Sequence, residues 1–87
     1  IIYPAYPNPF NVETWMQYFV PEQLGTIKPL ISIYDVRGHE IEQHQVGQVN
    51  PGMHEFRWNE ETRSSGMYFI QLSFEKTSYS QKIQLLK

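Results

Sequence analysis

From Thr14 onward, apolar side chains recur at every second position in short runs that are broken by Pro, Gly and Asn. That period puts alternate side chains on opposite faces of an extended backbone and cannot line one stripe of a helix. The chain is therefore read as all-β. In Thr14 to Val20, Met16, Tyr18 and Val20 take one face while Trp15, Gln17 and Phe19 take the other, and Pro21 ends the run. Gln23 to Pro29 reads as a loop. Leu30 to Asp35 sets Ile31 and Ile33 against Leu30, Ser32 and Tyr34; Asp35-Val36-Arg37-Gly38 is a tight turn, and His39 to Val46 returns with Ile41 as its inward anchor. Met53 to Trp58 alternates His54, Phe56 and Trp58 against Met53, Glu55 and Arg57. Met67 to Phe74 is apolar on both faces, as a central strand would be, and Tyr79 to Leu86 places Ile83 and Leu85 inward.

Ahead of these runs, Pro4, Pro7 and Pro9 hold the first dozen residues extended and remove ladder donors, so that segment is an edge strand or a laid-down arm. With it the count is seven strands, the pattern of a seven-stranded antiparallel β-sandwich, immunoglobulin-like in outline but without the cysteines of antibody domains.

Eighty-seven residues make one domain, 1–87. Six Tyr, five Phe and two Trp suit half-buried strand surfaces. A net charge of -2, with Lys and Arg scattered, offers no basic track for phosphates, so no nucleic-acid partner is expected. Cysteine is absent, which excludes disulfides and thiolate metal sites. No apolar run approaches the roughly 20 residues of a membrane span. The chain opens at Ile1-Ile2 with neither Met nor a secretory signal peptide, and is read as a piece cut from the end of a longer polypeptide.

The polar residues show no catalytic pattern. His39, His44 and His54 lack ligand spacing; the first two are read as solvated, and His54, on the Phe56 and Trp58 face, as a partly buried, hydrogen-bonded ring. Glu60-Glu61 falls in a loop and Glu40 with Glu42 on one polar strand face, while Ser64-Ser65 lacks a nucleophile-elbow pattern. The expectation is a domain without catalytic residues, cofactor or metal.

Three segments carry more information. Tyr6-Pro7-Asn8-Pro9-Phe10-Asn11 stands near the start, Gly66-Met67-Tyr68-Phe69-Ile70-Gln71-Leu72 begins the central strand, and Lys82-Ile83-Gln84-Leu85-Leu86-Lys87 closes the chain. Each has a structural reading. Prolines stiffen an edge with Phe10 capping the core, Gly66 admits a sharp turn, Tyr68 buries its ring with its hydroxyl bonded at a corner, and Lys82 and Lys87 protect an edge. A terminal strand with a free edge can also pair with a partner's sheet.

In this order, and with Val20-Pro21-Glu22, Ile33-Tyr34-Asp35-Val36-Arg37-Gly38 and Pro51-Gly52-Met53-His54-Glu55-Phe56-Arg57-Trp58 between them, these segments resemble the type A C-terminal sorting domain of the bacterial type IX secretion system. The middle motifs are shared with the related immunoglobulin-like domain of the flagellar hook-assembly protein; the two end motifs are specific. The resemblance implies a secretion signal carrying an upstream cargo domain across the outer membrane. Its partners would be the translocon, shuttle and sortase-like components of that machinery, with removal by the sortase-like peptidase. It implies periplasmic transit, then a cell-surface or extracellular destination. The signal residues would be Tyr6, Pro7, Asn8, Pro9, Phe10, Gly66, Tyr68, Leu72, Lys82, Ile83, Leu85, Leu86 and Lys87.

The sequence departs from the family pattern at Val12-Glu13-Thr14, at Asn59-Glu60-Glu61, and at Trp15 and Phe19, which stand where small polar residues are usual. With Leu30 and Tyr34, Trp15 and Phe19 are candidates for one exposed apolar patch. The alternative reading is a non-catalytic carbohydrate-binding or accessory module of a secreted hydrolase, with Trp15, Phe19 and Tyr34 as its aromatic platform. A third is a structural spacer.

Overall fold

A computed structural model describes residues 2–86. Six continuous strands follow one another: β1 (Glu13–Val20), β2 (Leu30–Tyr34), β3 (Glu40–Gln45), β4 (Gly52–Asn59), β5 (Gly66–Phe74) and β6 (Thr77–Leu85), with one 3-10 turn at Glu22–Leu24. All pairings between strands are antiparallel, in a β1-β4 sheet and a β3-β2-β5-β6 sheet. The Pro-rich arm is the seventh extended segment and pairs through isolated bridges.

Alternation decides what each sheet buries. Thr14, Met16, Tyr18 and Val20 turn inward from β1, and Trp58 from β4. Ile31 and Ile33 of β2, Tyr68, Ile70 and Leu72 of β5, and Ile83 and Leu85 of β6 complete one buried cluster. Removing each such side chain from water contributes roughly 1.5–3 kcal/mol. The strand β5 lies between β2 and β6, as its sequence predicts for a central strand; Tyr68, Ile70 and Leu72 are buried on its inner face, and Met67 and Phe69 are half-buried on the other. Ser32 is buried on the outer side of β2, because Gln43 and Gln71 flank it there.

The turns follow their residues. Gly38 takes φ 86°, and the Asp35 carboxylate accepts the backbone N–H groups of His39 and Arg37, each at 2.9 Å. Those bonds, led by the one from His39, hold its carboxyl below the usual aspartate range. The loop between Pro21 and β2 is tied down by paired backbone bonds between Ile27 and Val49.

One departure has a clear cause. Ile33 pairs with Glu42 and Tyr34 with Glu40, so Ile41 is an extra residue on β3. The bulge turns Glu40 outward and Glu42 inward, where strict alternation puts both on a single polar face. Beside Glu42, His44 is half-buried, bonded to Glu42 Oε1 at 2.9 Å and tilted over the Phe56 ring, which corrects its reading as a solvated residue.

Candidate functional site

The arm first runs antiparallel to β1. Ile2 bridges Tyr18, Tyr6 bridges Trp15, and the Tyr3 and Tyr6 N–H groups donate to the carbonyls of Gln17 and Trp15. It then crosses to the other sheet, where Phe10 bridges Leu85 in parallel. During the crossing, backbone N–H groups would have no ladder to join, and two of the positions there, Pro7 and Pro9, carry none. The Tyr6–Pro7 and Asn8–Pro9 peptide bonds are cis. The carbonyl of Pro7 accepts the buried Thr14 hydroxyl at 2.7 Å.

The arm ends by closing over the edge of β6. Phe10 N–H donates to the Gln84 carbonyl at 2.9 Å, and Leu86 N–H donates to the Phe10 carbonyl at 2.8 Å. The Asn8 side chain bonds in both directions, accepting from Gln84 N–H at 3.0 Å and donating to the Lys82 carbonyl at 3.2 Å. Deeper in, Gln81 spans the sheets, accepting the Ala5 N–H at 2.6 Å and donating to the Tyr3 carbonyl at 2.7 Å. The expectation of a free edge on the terminal strand is thereby corrected: from Lys82 to Leu86 that edge is occupied by Asn8 to Phe10. Lys87 lies outside the described residues.

Under the clasp sits a cluster of three aromatic rings packed at steep angles. Phe10 and Tyr68 each place their ring centroid 5.5 Å from that of the buried Trp58. The Tyr68 hydroxyl donates to the Ser64 carbonyl at 2.7 Å, the corner bond expected for it. Gly66 pairs with Leu85 and Tyr68 with Ile83, so both stand beside the clasp. Leu72 does not; it pairs with Tyr79 at the opposite end of the sheet. The predicted signal residues therefore split into a buried set (Phe10, Tyr68, Leu72, Ile83, Leu85) and an outward set (Tyr6, Pro7, Asn8, Pro9, Lys82, Leu86).

The four candidate patch residues do not form one surface. Trp15 and Phe19 stand on the outer face of the β1-β4 sheet, with Tyr6 and Met53, whereas Leu30 and Tyr34 stand on the outer face of the four-stranded sheet. This also divides the proposed aromatic platform, and the Arg57 guanidinium already lies 5.8 Å from the Trp15 ring centroid. His54 bonds the Asn50 carbonyl at 2.6 Å and tilts against Tyr18, as expected of a partly buried ring. In the loop after β4, the Thr62 hydroxyl and N–H both donate to Glu60, which holds that carboxyl at about 2.

Thr14, Gln81 and Glu42 were missed as organising residues. Gln81 had a readable signal: on a strand whose inward positions also include Ile83 and Leu85, an inward polar side chain needs a partner.

A small all-β module whose two terminal motifs are locked to each other, with part of each facing solvent, has the build of a recognition tag. The family model for the secretion system C-terminal sorting domain matches residues 4–85, and the chain belongs to that family. It is thus a C-terminal secretion signal of the type IX system, and cargo bearing such a signal is exported to the cell surface or the extracellular space. None of the curated proteins matches the chain in sequence.

Proposed function

We propose that the clasped ends are the element the type IX machinery reads: the solvent-facing side chains of Tyr6, Pro7, Asn8, Pro9, Lys82 and Leu86, held in register by Phe10, Gly66, Tyr68, Ile83 and Leu85. The observation that carries this is the pairing of Asn8 and Phe10 with Lys82 to Leu86, which makes one surface out of segments more than 70 residues apart. Lys87 is counted in the proposed signal from its sequence motif, and Leu72 contributes through packing alone. The domain supplies no chemistry of its own. It folds in the periplasm as an immunoglobulin-like sandwich, a reading supported by the two packed sheets and the Tyr68 corner bond. The translocon and shuttle components engage it there, and a sortase-like component removes it from its cargo near the arm.

The test is a fusion of residues 1–87 to the C-terminus of a periplasm-exported fluorescent protein, in a bacterium that has the type IX system. Surface or medium fluorescence is compared with and without residues 82–87. Export that requires those residues supports the reading. A fusion that folds but stays in the periplasm with its tail intact overturns it.

A further inference from the structure

Away from the clasp, the sandwich opens into a groove of about 420 Å³ between the end of β1 and the β5-β6 hairpin. Tyr18, Val20, Leu24, Ile27, Leu72 and Tyr79 line it, and no wall residue carries a charge. Leu24 and Phe19 stand partly exposed at its rim.

The arm points at this groove. It runs antiparallel to β1 with Tyr6 beside Trp15 and Ile2 beside Tyr18, so the polypeptide leading into the arm comes from the direction of Phe19 and Val20. Ile2 shares the inward face of its bridge partner Tyr18 and packs on the core. Alternation then gives the same inward face to the position two residues ahead of Ile2, beside Val20. Pro21 has no N–H, so ladder pairing along β1 ends at the groove mouth, and a segment lying beyond that point must be held by side-chain burial.

We infer that the cargo segment directly ahead of this chain docks in the groove as an extended continuation of the arm, seating an apolar side chain between Val20 and Leu72. This rests on membership of the sorting-domain family, which places a cargo upstream. Three observations name the occupant: the direction of the arm, the inward phase of Ile2, and the uncharged lining. The junction between cargo and tag is then packed against the tag, and a peptidase acting there meets it only when the groove lets go.

Hydrogen exchange on the full-length cargo protein, with its natural junction, tests this. Backbone amides directly ahead of Ile1 should exchange roughly tenfold or more slowly than in an unstructured linker. Leu24→Asp, at an exposed rim position, should abolish that protection while β5 amides are unchanged, and so should Asp in place of the residue preceding Ile1. Unprotected junction amides in the wild type overturn the inference, as does protection that Leu24→Asp leaves intact. Protection that appears only as protein concentration rises assigns the groove to a second copy and also overturns it. Export of the same variants is scored separately. A protected junction on a cargo that is never exported would refute the secretion reading while leaving the docked segment in place.

Discussion

The indole N–H of Trp58 on β4 donates to the Glu42 carboxylate on β3 at 2.9 Å, joining two strands of different sheets that share no ladder. Trp58 is 2% exposed, so no water replaces that acceptor. Glu42→Leu should therefore destabilise the domain by about 1–3 kcal/mol, the usual consequence of stranding a buried donor. Glu42→Gln keeps an acceptor and should lose less. Urea denaturation of the two variants, followed by Trp fluorescence, makes the comparison.

Phe10 is 2% exposed, whereas Tyr6, in the same motif, is 78% exposed. Phe10→Ala should destabilise by about 3–5 kcal/mol, a large share of the 5–15 kcal/mol typical of a domain. Tyr6→Ala should stay within about 0.5 kcal/mol. If Tyr6→Ala nonetheless reduces export, recognition and folding are separated within one motif. Equal melting temperatures for the two variants would contradict the burial assignment.

The clasp predicts a pair of coupled amides. Phe10 N–H and Leu86 N–H bond across the same edge, and Asn8 brackets the same stretch through Gln84 and Lys82. Asn8→Ala should speed hydrogen exchange at Phe10, Gln84 and Leu86 together, with little change in β2. Its effect on global stability should be about 0.5–1.5 kcal/mol, since water reaches the exposed Asn8 side chain. Exchange that changes at Gln84 alone would show that the edge does not open as a unit.

Acid should weaken the fold below about pH 4. Glu60 has its carboxyl held at about 2, and Asp35 is shifted in the same direction. Both depressed values mean stabilisation that is present above the ordinary carboxylate range of about 4 and is lost as pH falls through the folded values. Glu60→Gln should flatten part of the decline in melting temperature between roughly pH 4 and 2. A wild-type curve that is level across that window would refute the assignment.

Most of the architecture was legible because period-two alternation is a strong signal when one face is buried. Met16, Tyr18 and Val20, Ile31 and Ile33, and Ile83 and Leu85 all lie inward as their spacing predicts. The Tyr68 corner bond was readable from a Gly before an aromatic strand. Glu42 was not, because a single extra residue at Ile41 inverts the phase and a bulge leaves little trace in composition. The clasp was hidden for a different reason. Both of its halves stood out as motifs, but the pairing of Asn8 with Gln84 spans 76 residues, and no local pattern encodes such a partnership. The supposed apolar patch failed on topology: Trp15 and Tyr34 are both outward, on different sheets.

Because the Phe10 backbone and the Asn8 side chain bond to residues 82 to 86, the last strand of this tag is completed by almost the first segment of the domain to be synthesised. A ribosome that stalls short of the end leaves the Phe10 backbone and the Asn8 side chain without these partners and the arm without an edge to grip. A chain that lacks residues 82 to 86 therefore cannot close the clasp, and the surface proposed above as the one the machinery reads is absent from it.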